Sequence, residues 1–283
     1  MRRSKMVATL LILSFIALLT SCDKQPTPDI FSWTPYDETG LIKENADHES
    51  KQMRYKLIQS RVSDRGDLLQ TIKPQLEGFS KQGFDKLTPM IYGKPIQQLQ
   101  NHIQQGDFTY KELVQWHLHR IALMESDKDM ALNAIISINP QVVAQAEVLD
   151  NQSGEQDHPI YGMPVLLKDN INTKNMKTTA GAVALQDNQP KKDAPIVQHI
   201  KSNGGLILGK ANLSEWANYL CNGCPNGYSA VGGQTLNPYG PRQFDTGGSS
   251  SGSAAGVAAN YAVVAVGTET SGSILSPASQ QSA

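Results

Sequence analysis

The sequence has almost no net charge, only three cysteines, and no apolar run long enough to span a bilayer. The formal net charge is −1, so nothing in it favours nucleic acid or an acidic polymer as a partner. The N-terminal apolar run, residues 7–19, is 13 residues long, whereas a membrane-spanning helix needs roughly 20. No internal repeat or low-complexity tract is present. A hydrophobic content of 39% is typical of a soluble enzyme of one large or two small domains.

The N-terminus has the pattern of a secretion signal. Basic residues at positions 2, 3 and 5 precede the apolar run, and that order favours a signal peptide over the alternative of an uncleaved membrane anchor. The run ends in Leu-Thr-Ser-Cys, which resembles the lipobox of bacterial lipoproteins, and Asp23 follows it. The sequence therefore predicts an exported protein, lipidated at Cys22 and anchored through acyl chains to a membrane, facing the periplasm.

The other two cysteines lie close together in LCNGCPNGYS. Cys221 and Cys224 are candidates for a small disulfide loop, because an exported protein meets an oxidising compartment. A redox role fits less well, since the surroundings predict a loop and not the start of a helix. A zinc site would need two further ligands, and none lies near in the sequence.

The chain divides into four segments. Residues 1–21 form the predicted lipoprotein signal, and residues 22–52, with several prolines and little apolar periodicity, predict a tether. Residues 53–94 form a predicted helical prelude of unknown role, with helical apolar spacing from about Met53 to Ser80 that is interrupted at Pro74. Residues 95–283 open with two predicted helices, one ending at Gly106 and the next beginning after Thr109 as its cap.

Beyond these helices, short apolar runs alternate with helical patterns. The runs are NAIISI, PVLLK, GLILGKAN and YAVVAVGTE, and a helical pattern, APIVQHIKSNG, ends in glycine. Such alternation predicts an α/β fold with a buried sheet covered by helices on both faces. The histidines at positions 102, 117 and 119 fall in helical patterns, where surface or packing roles are expected. No histidine lies in the motifs described next.

Two motifs carry candidate chemistry but are ambiguous alone. YGMPVLLKDN ends an apolar run at Lys168, and a lysine there is often only a solvated strand end. DTGGSSSGSAAGVAAN, residues 245–260, has three alternative interpretations: a flexible linker, a phosphate-binding loop or a nucleophile elbow. The helix-compatible AAGVAAN argues against a linker, and no lysine completes a P-loop. The elbow would use Ser250, but the preceding PYGPRQFDT is not a buried strand.

The third motif is GTETSGSI, which follows the apolar run YAVVAV. Small residues at 271 and 272 allow a sharp turn that aims amide N–H groups at one point, as an oxyanion hole requires. Together, and in this order, the three motifs resemble the amidase signature family of serine hydrolases. The resemblance begins near residue 95 and, in GLILGKANLSEWAN and SAVGGQTLNPYGPR, is similar to exported peptide-amidase-like members.

This resemblance implies a central mixed β-sheet with helices on both faces and a Ser-Ser-Lys catalytic triad. Matching the motifs places the base at Lys168, a bridging serine with a cis peptide at Ser249 and the nucleophile at Ser273, 24 residues later. The backbone N–H groups of residues 270–273, namely Thr270, Ser271, Gly272 and Ser273, are the predicted oxyanion hole. The implied reaction is hydrolysis of a small amide or peptide amide, without metal or cofactor.

Two positions depart from the family pattern. Ser271 stands where many members carry glycine, which a hole built from backbone groups tolerates. Leu275 stands where many members carry arginine, and this weakens the case for a substrate carboxylate at that place.

Burial behind PVLL should lower the pKa of Lys168, so that the neutral amine can act as base.

Only ten residues follow Ser273, whereas the family continues well beyond its nucleophile. The expectation is therefore a front half of the amidase fold, truncated and inactive as it stands. Two alternatives remain: an amidotransferase of the transamidase type and a non-catalytic lipoprotein remnant. An amidotransferase of the transamidase type works in the cytoplasm, which conflicts with the predicted export signal. The oligomeric state is not predicted.

Overall fold

The computed structural model describes residues 29–152, 158–221 and 223–283. The predicted signal segment, Cys22 and the first part of the predicted tether lie outside the described residues. Within the described ranges, no helix is both long and apolar enough to cross a bilayer.

The segment of residues 29–52, predicted as part of a tether, packs against the rest of the protein. Its helix α1 spans Thr39–Glu44, and a 3₁₀ turn covers Lys51–Met53. Glu38 is 3% exposed and its carboxylate accepts hydrogen bonds from the backbone of residues 58 and 59. Trp33 packs against the hydrophobic core. The tether prediction is wrong for this segment, because its contacts are with residues distant in sequence.

The predicted helical prelude is only partly helical. Helix α2 spans Arg65–Ile72 and continues as a 3₁₀ turn, Lys73–Leu76, that contains Pro74; helix α3 spans Lys81–Ile91. Residues 54–64 form no regular helix. The predicted helical spacing thus agrees with α2 and its 3₁₀ turn and is wrong between Met53 and the start of α2, while α3 lies beyond that spacing but within the predicted prelude.

The next two helices agree with their predicted boundaries. Helix α4 spans Ile96–Gln105 and ends at Gly106, whose φ of 77° is in the left-handed region that favours glycine. Helix α5 spans Tyr110–Glu125, and Thr109 forms a capping box with Glu112. Both ends were predictable because each depends on local capping chemistry.

The remaining elements build the sheet. They are β1 (Ile135–Ile138), α6 (Val142–Asp150), β2 (Pro164–Lys168), α7 (Pro195–Ser202), β3 (Leu206–Ala211), the short pair β4 (Tyr228–Ser229) and β5 (Gly233–Gln234), α8 (Ser251–Ala258), β6 (Val264–Val266) and α9 (Leu275–Gln281). The larger sheet has the order β1-β3-β2-β6. Strand β2 is parallel to both neighbours, whereas β1 is antiparallel to β3, so the sheet is mixed.

Alternate residues of β2 contact different hydrophobic clusters on the two faces of the sheet. Leu166 belongs to the larger cluster, which includes α2–α6 and α8. Val165 and Leu167 belong to a smaller cluster with Val197 of α7. This confirms the predicted coverage of both faces. In the described part of the chain β6 is an edge strand, and its residues are half-buried.

Candidate active site

Lys168 is the last residue of β2 and is fully buried. Its Nζ donates hydrogen bonds to Ser249 Oγ at 2.7 Å and to Thr268 Oγ1 at 2.8 Å. A lysine at a strand end would ordinarily reach solvent, and this one does not. Burial lowers the pKa of Lys168 to about 8, opposed by the negative charge of Glu269. Near pH 7 about a tenth of the molecules therefore carry Lys168 as the neutral amine, far more than an ordinary lysine would.

Ser249 lies immediately before α8 and is also fully buried. The Gly248–Ser249 peptide is cis. The Ser249 carbonyl accepts a hydrogen bond of 3.1 Å from the Ser214 N–H, which ties this segment to the chain after β3. Gly252, in the first turn of α8, leaves no room for a side chain: a Cβ there would lie 2.6 Å from the Asn212 backbone nitrogen. The small residues of this motif thus bring Ser249 close to the sheet.

Ser273 lies in the turn between β6 and α9 and is half-buried. Its Oγ accepts a hydrogen bond of 3.0 Å from Ser249 Oγ, and its carbonyl accepts one of 3.0 Å from the Ser250 N–H. The structure therefore brings together the three residues predicted as a triad, in the order Lys168, Ser249, Ser273. Their catalytic roles stay predictions.

The predicted oxyanion amides are arranged differently from the expectation. The N–H groups of Gly272 and Ser273 both donate to Glu269 Oε1, the second at 3.0 Å. The other carboxylate oxygen, Oε2, accepts from the next two amides, those of residues 274 and 275. Two of the four predicted donors thus contact a carboxylate of the same loop. The physical reason is that Glu269 lies just before an exposed helix start, whose free N–H groups attract an anion.

Three polar residues of this site were missed by the sequence analysis. Thr268 accepts from Lys168, and Asn170 Nδ2 donates to Thr268 Oγ1 at 3.0 Å. Glu269 binds the amides of the turn. A signal for the first two existed, because residues that follow parallel neighbouring strands meet at the same edge of a sheet. For Glu269 the signal was an acidic residue shortly before a helix start.

The remaining predicted residues lie outside the triad. Cys221 and Cys224 form a disulfide with Cα atoms 5.7 Å apart. Ser250, the alternative nucleophile, bonds through its Oγ to the backbone of Thr268 and not to Lys168. His117 and His119 are buried in helix α5, in packing positions. The described residues contain no group of three or more His, Cys, Asp or Glu side chains that could hold a metal ion.

Comparison with known proteins gives consistent results. Residues 112–283 match the family model described as Amidase. A probable amidase of Arabidopsis thaliana is 44% identical over 179 residues, which is 62% of this chain and 34% of that protein. Among solved structures, an amidase family protein from Bacillus anthracis has a TM-score of 0.76 at 43% identity, covering 80% of this chain and 45% of its own.

A peptide amidase from Stenotrophomonas maltophilia has a TM-score of 0.63 at 44% identity, covering 66% of this chain and 38% of its own. The chain thus spans about a third of the length of the first curated relative that it matches, and less than half of these two solved structures.

Proposed function

This chain belongs to the amidase family, and on that premise we propose that it hydrolyses carbon–nitrogen amide bonds with Ser273 as nucleophile. The observation that supports the proposal most directly is the chain of hydrogen bonds from Lys168 through Ser249 to Ser273, of 2.7 Å and 3.0 Å. A serine hydroxyl needs a base near neutral pH. A buried lysine with a pKa of about 8 can be that base.

In the acylation step, Ser273 Oγ attacks the amide carbonyl carbon and gives its proton to Ser249. Ser249 passes its own proton to the neutral Lys168 amine. In this reactive form the amine accepts a hydrogen bond from Ser249, whereas the ammonium donates one at the same contact. The carbonyl oxygen becomes an oxyanion held by amides of residues 270–273, so Gly272 and Ser273 must exchange Glu269 for it. When the carbon–nitrogen bond breaks, Ser249 gives a proton to the leaving nitrogen and takes one back from Lys168, which becomes the neutral amine again.

Water completes the cycle by the same relay. It attacks the ester carbon of acylated Ser273 and loses a proton through Ser249 to Lys168. The carbon–oxygen bond to Ser273 then breaks, and Ser273 takes back the proton. The products are a carboxylic acid and an amine or ammonia. The proton transfers among Ser273, Ser249 and Lys168 run between groups already in hydrogen-bond contact.

For the substrate we propose a small amide or peptide amide without a carboxylate next to the scissile bond. Leu275 lies beside the turn and is 72% exposed, and its apolar side chain cannot form an ion pair with a substrate carboxylate. The likeness to a solved peptide amidase supports a peptide amide in particular.

The first test uses an alkyl fluorophosphonate on the full chain. Ser273 Oγ should attack phosphorus, fluoride should leave, and intact-mass analysis should find one phosphonyl group per chain. Ser273→Ala should remove the adduct, and Ser249→Ala should slow its formation by about 10²-fold or more. The control is Ser279→Ala, an exposed serine of α9, which should label like the parent.

An adduct that persists in Ser273→Ala, or that maps to another serine, would contradict the assignment. A parallel assay of simple amide hydrolysis checks the separate expectation that the chain is inactive as it stands. Labelling of Ser273 without amide turnover would agree with that expectation and leave the assignment of the nucleophile intact.

We also propose that the protein is exported and lipidated at Cys22, which lies outside the described residues. The support is the basic-then-apolar signal followed by Leu-Thr-Ser-Cys. Cys22→Ser should move the protein from the membrane fraction to the soluble fraction and leave the signal uncleaved, as measured by fractionation and intact mass. Unchanged partitioning and processing would sink the proposal.

A further inference from the structure

A second buried lysine lies one strand away from Lys168. Lys210, on β3, and Asp169, which directly follows Lys168, are both fully buried, and Lys210 Nζ lies 3.2 Å from Asp169 Oδ1. The proposed proton relay uses neither residue. A buried ion pair of this kind adds little net stability, because desolvation of the two charges offsets their attraction. Its place beside the candidate base therefore asks for another explanation.

The pair ties together both ends of the loop that follows β2, residues 169–181. Lys210 Nζ donates to the Ile171 carbonyl and to Thr178 Oγ1, each at 2.8 Å. Asp169 Oδ2 accepts from the Thr179 N–H at 3.0 Å and from its hydroxyl. The two hydrogen bonds that Lys210 donates and the Asp169 charge 3.2 Å away favour the charged form of the ammonium. Burial nonetheless raises the pKa of Asp169 and lowers that of Lys210.

One connection from this loop leads to Lys168. Asn170, next to Asp169, donates to Thr268 Oγ1 at 3.0 Å, and the same oxygen accepts from Lys168 Nζ at 2.8 Å. Displacement of the loop would therefore release the hydroxyl that holds the Lys168 amine beside Ser249.

A second connection leads to Ser249. The Ala180 carbonyl accepts a hydrogen bond of 3.0 Å from the Trp216 N–H. Trp216 begins three consecutive residues with positive φ, a strained turn that its surroundings must hold in place. The N–H of Ser214, just before this turn, donates to the Ser249 carbonyl at 3.1 Å.

The pair cannot act on the reacting atoms directly. Lys210 is in register with Leu167, on the face of the smaller hydrophobic cluster. Lys168 is in register with Ala211, which belongs to the cluster on the opposite face. Any effect must therefore pass through the loop.

We propose that Asp169 and Lys210 form a positioning pair that holds the 169–181 loop in place. The loop in turn keeps the chain of hydrogen bonds from Lys168 through Ser249 to Ser273 aligned. The effect of the pair on catalysis rests on the proposed function. Its effect on the position of the loop can be tested without any enzymatic turnover. The charged groups relevant to a titration of Lys168 are Glu269, from the turn after β6, and the pair itself on the opposite face. Its direct partners, Ser249 and Thr268, are neutral.

The test follows the Lys168 ammonium by NMR in the full chain labelled with ¹³Cε-lysine, with the resonance assigned through Lys168→Met. Replacing both partners, Lys210→Met with Asp169→Leu, removes the pair without leaving a lone buried charge. If the pair positions the loop, water gains access to Lys168 and its pKa rises from about 8 toward the ordinary 10.5, by about one unit or more. Cooperative thermal unfolding should be retained.

The matched control changes an exposed pair nearby, Lys177 and Asp187, whose side chains are 55% and 80% exposed. Lys177→Met with Asp187→Leu should leave the Lys168 titration unchanged. An unchanged titration in the folded Asp169/Lys210 variant would overturn the proposal. If that variant does not fold, Thr179→Val decides, because it keeps both charged partners and removes the hydroxyl that donates to Asp169 and accepts from the Gly181 N–H. An upward shift supports the pair's role, and no shift refutes it.

The effect of the pair on catalysis is measured separately. Fluorophosphonate labelling of Ser273 should slow by about 10²-fold in the Asp169/Lys210 variant, since a displacement of about 1 Å can cost that much. A parent chain that does not label at all would count against the proposed function while leaving the NMR result on the pair intact. Labelling at the parent rate, despite a shifted titration, would overturn the catalytic part alone.

Discussion

Lys168→Arg is expected to slow phosphonylation of Ser273 by about 10²- to 10⁴-fold, as much as Lys168→Met does. This range is the usual contribution of a general base. Arginine keeps the positive charge and donors for Ser249 and Thr268, but it cannot lose its proton in a protein. Equal losses would show that the neutral amine matters, not the charge. The labelling rates are measured by intact-mass analysis at a pH above which the rate of the parent chain no longer rises.

The pH dependence has a defined direction. Lys168 is active as a base only when deprotonated, and its pKa is about 8, so the labelling rate should rise with pH through about 8 and then level off. Glu269 raises that pKa through its negative charge. Glu269→Gln should therefore move the midpoint to lower pH. A rate independent of pH between about 6 and 10, or an active Lys168→Arg variant, would contradict Lys168 as the base.

Local features were the most predictable from sequence. Gly106 and Thr109 mark helix ends because their capping chemistry involves only neighbouring residues. The four strands of the main sheet follow the apolar runs. The triad assignment came from a family resemblance, and no periodicity could have joined Lys168 to serines 81 and 105 residues later.

Long-range packing explains what the sequence did not predict. The segment before Met53 is proline-rich and weakly periodic, but Asn45 Nδ2 donates to the Arg242 carbonyl across 197 residues. Such contacts leave no local pattern. Glu269 was missed for a different reason: the turn was interpreted as a set of free amides, while the acidic residue that can reach them lay within the same motif.

The largest stability effect is expected at Arg65 on helix α2. Its guanidinium pairs with the Glu125 carboxylate, which is fully buried, and lies 5.1 Å above the Trp33 ring. Burial lowers the pKa of Arg65 to about 10, so the group remains charged at neutral pH. Glu125 also accepts hydrogen bonds from the backbone of residues 133 and 134 and from Tyr261. The pair thus joins α2 and the segment around Trp33 to helix α5 and the approach to β6.

Arg65→Met should lower the free energy of unfolding by about 3–5 kcal/mol, because it leaves the Glu125 carboxylate buried without its cation. Urea denaturation of the full chain measures this change. The control is Lys81→Met, which breaks an exposed pair with Asp85 and should cost less than about 1 kcal/mol. Adding Glu125→Met to Arg65→Met should recover only part of the loss, since three donors to Glu125 then lack an acceptor. A loss below about 1 kcal/mol for Arg65→Met, or full recovery in the double variant, would show that the pair does not hold these elements together.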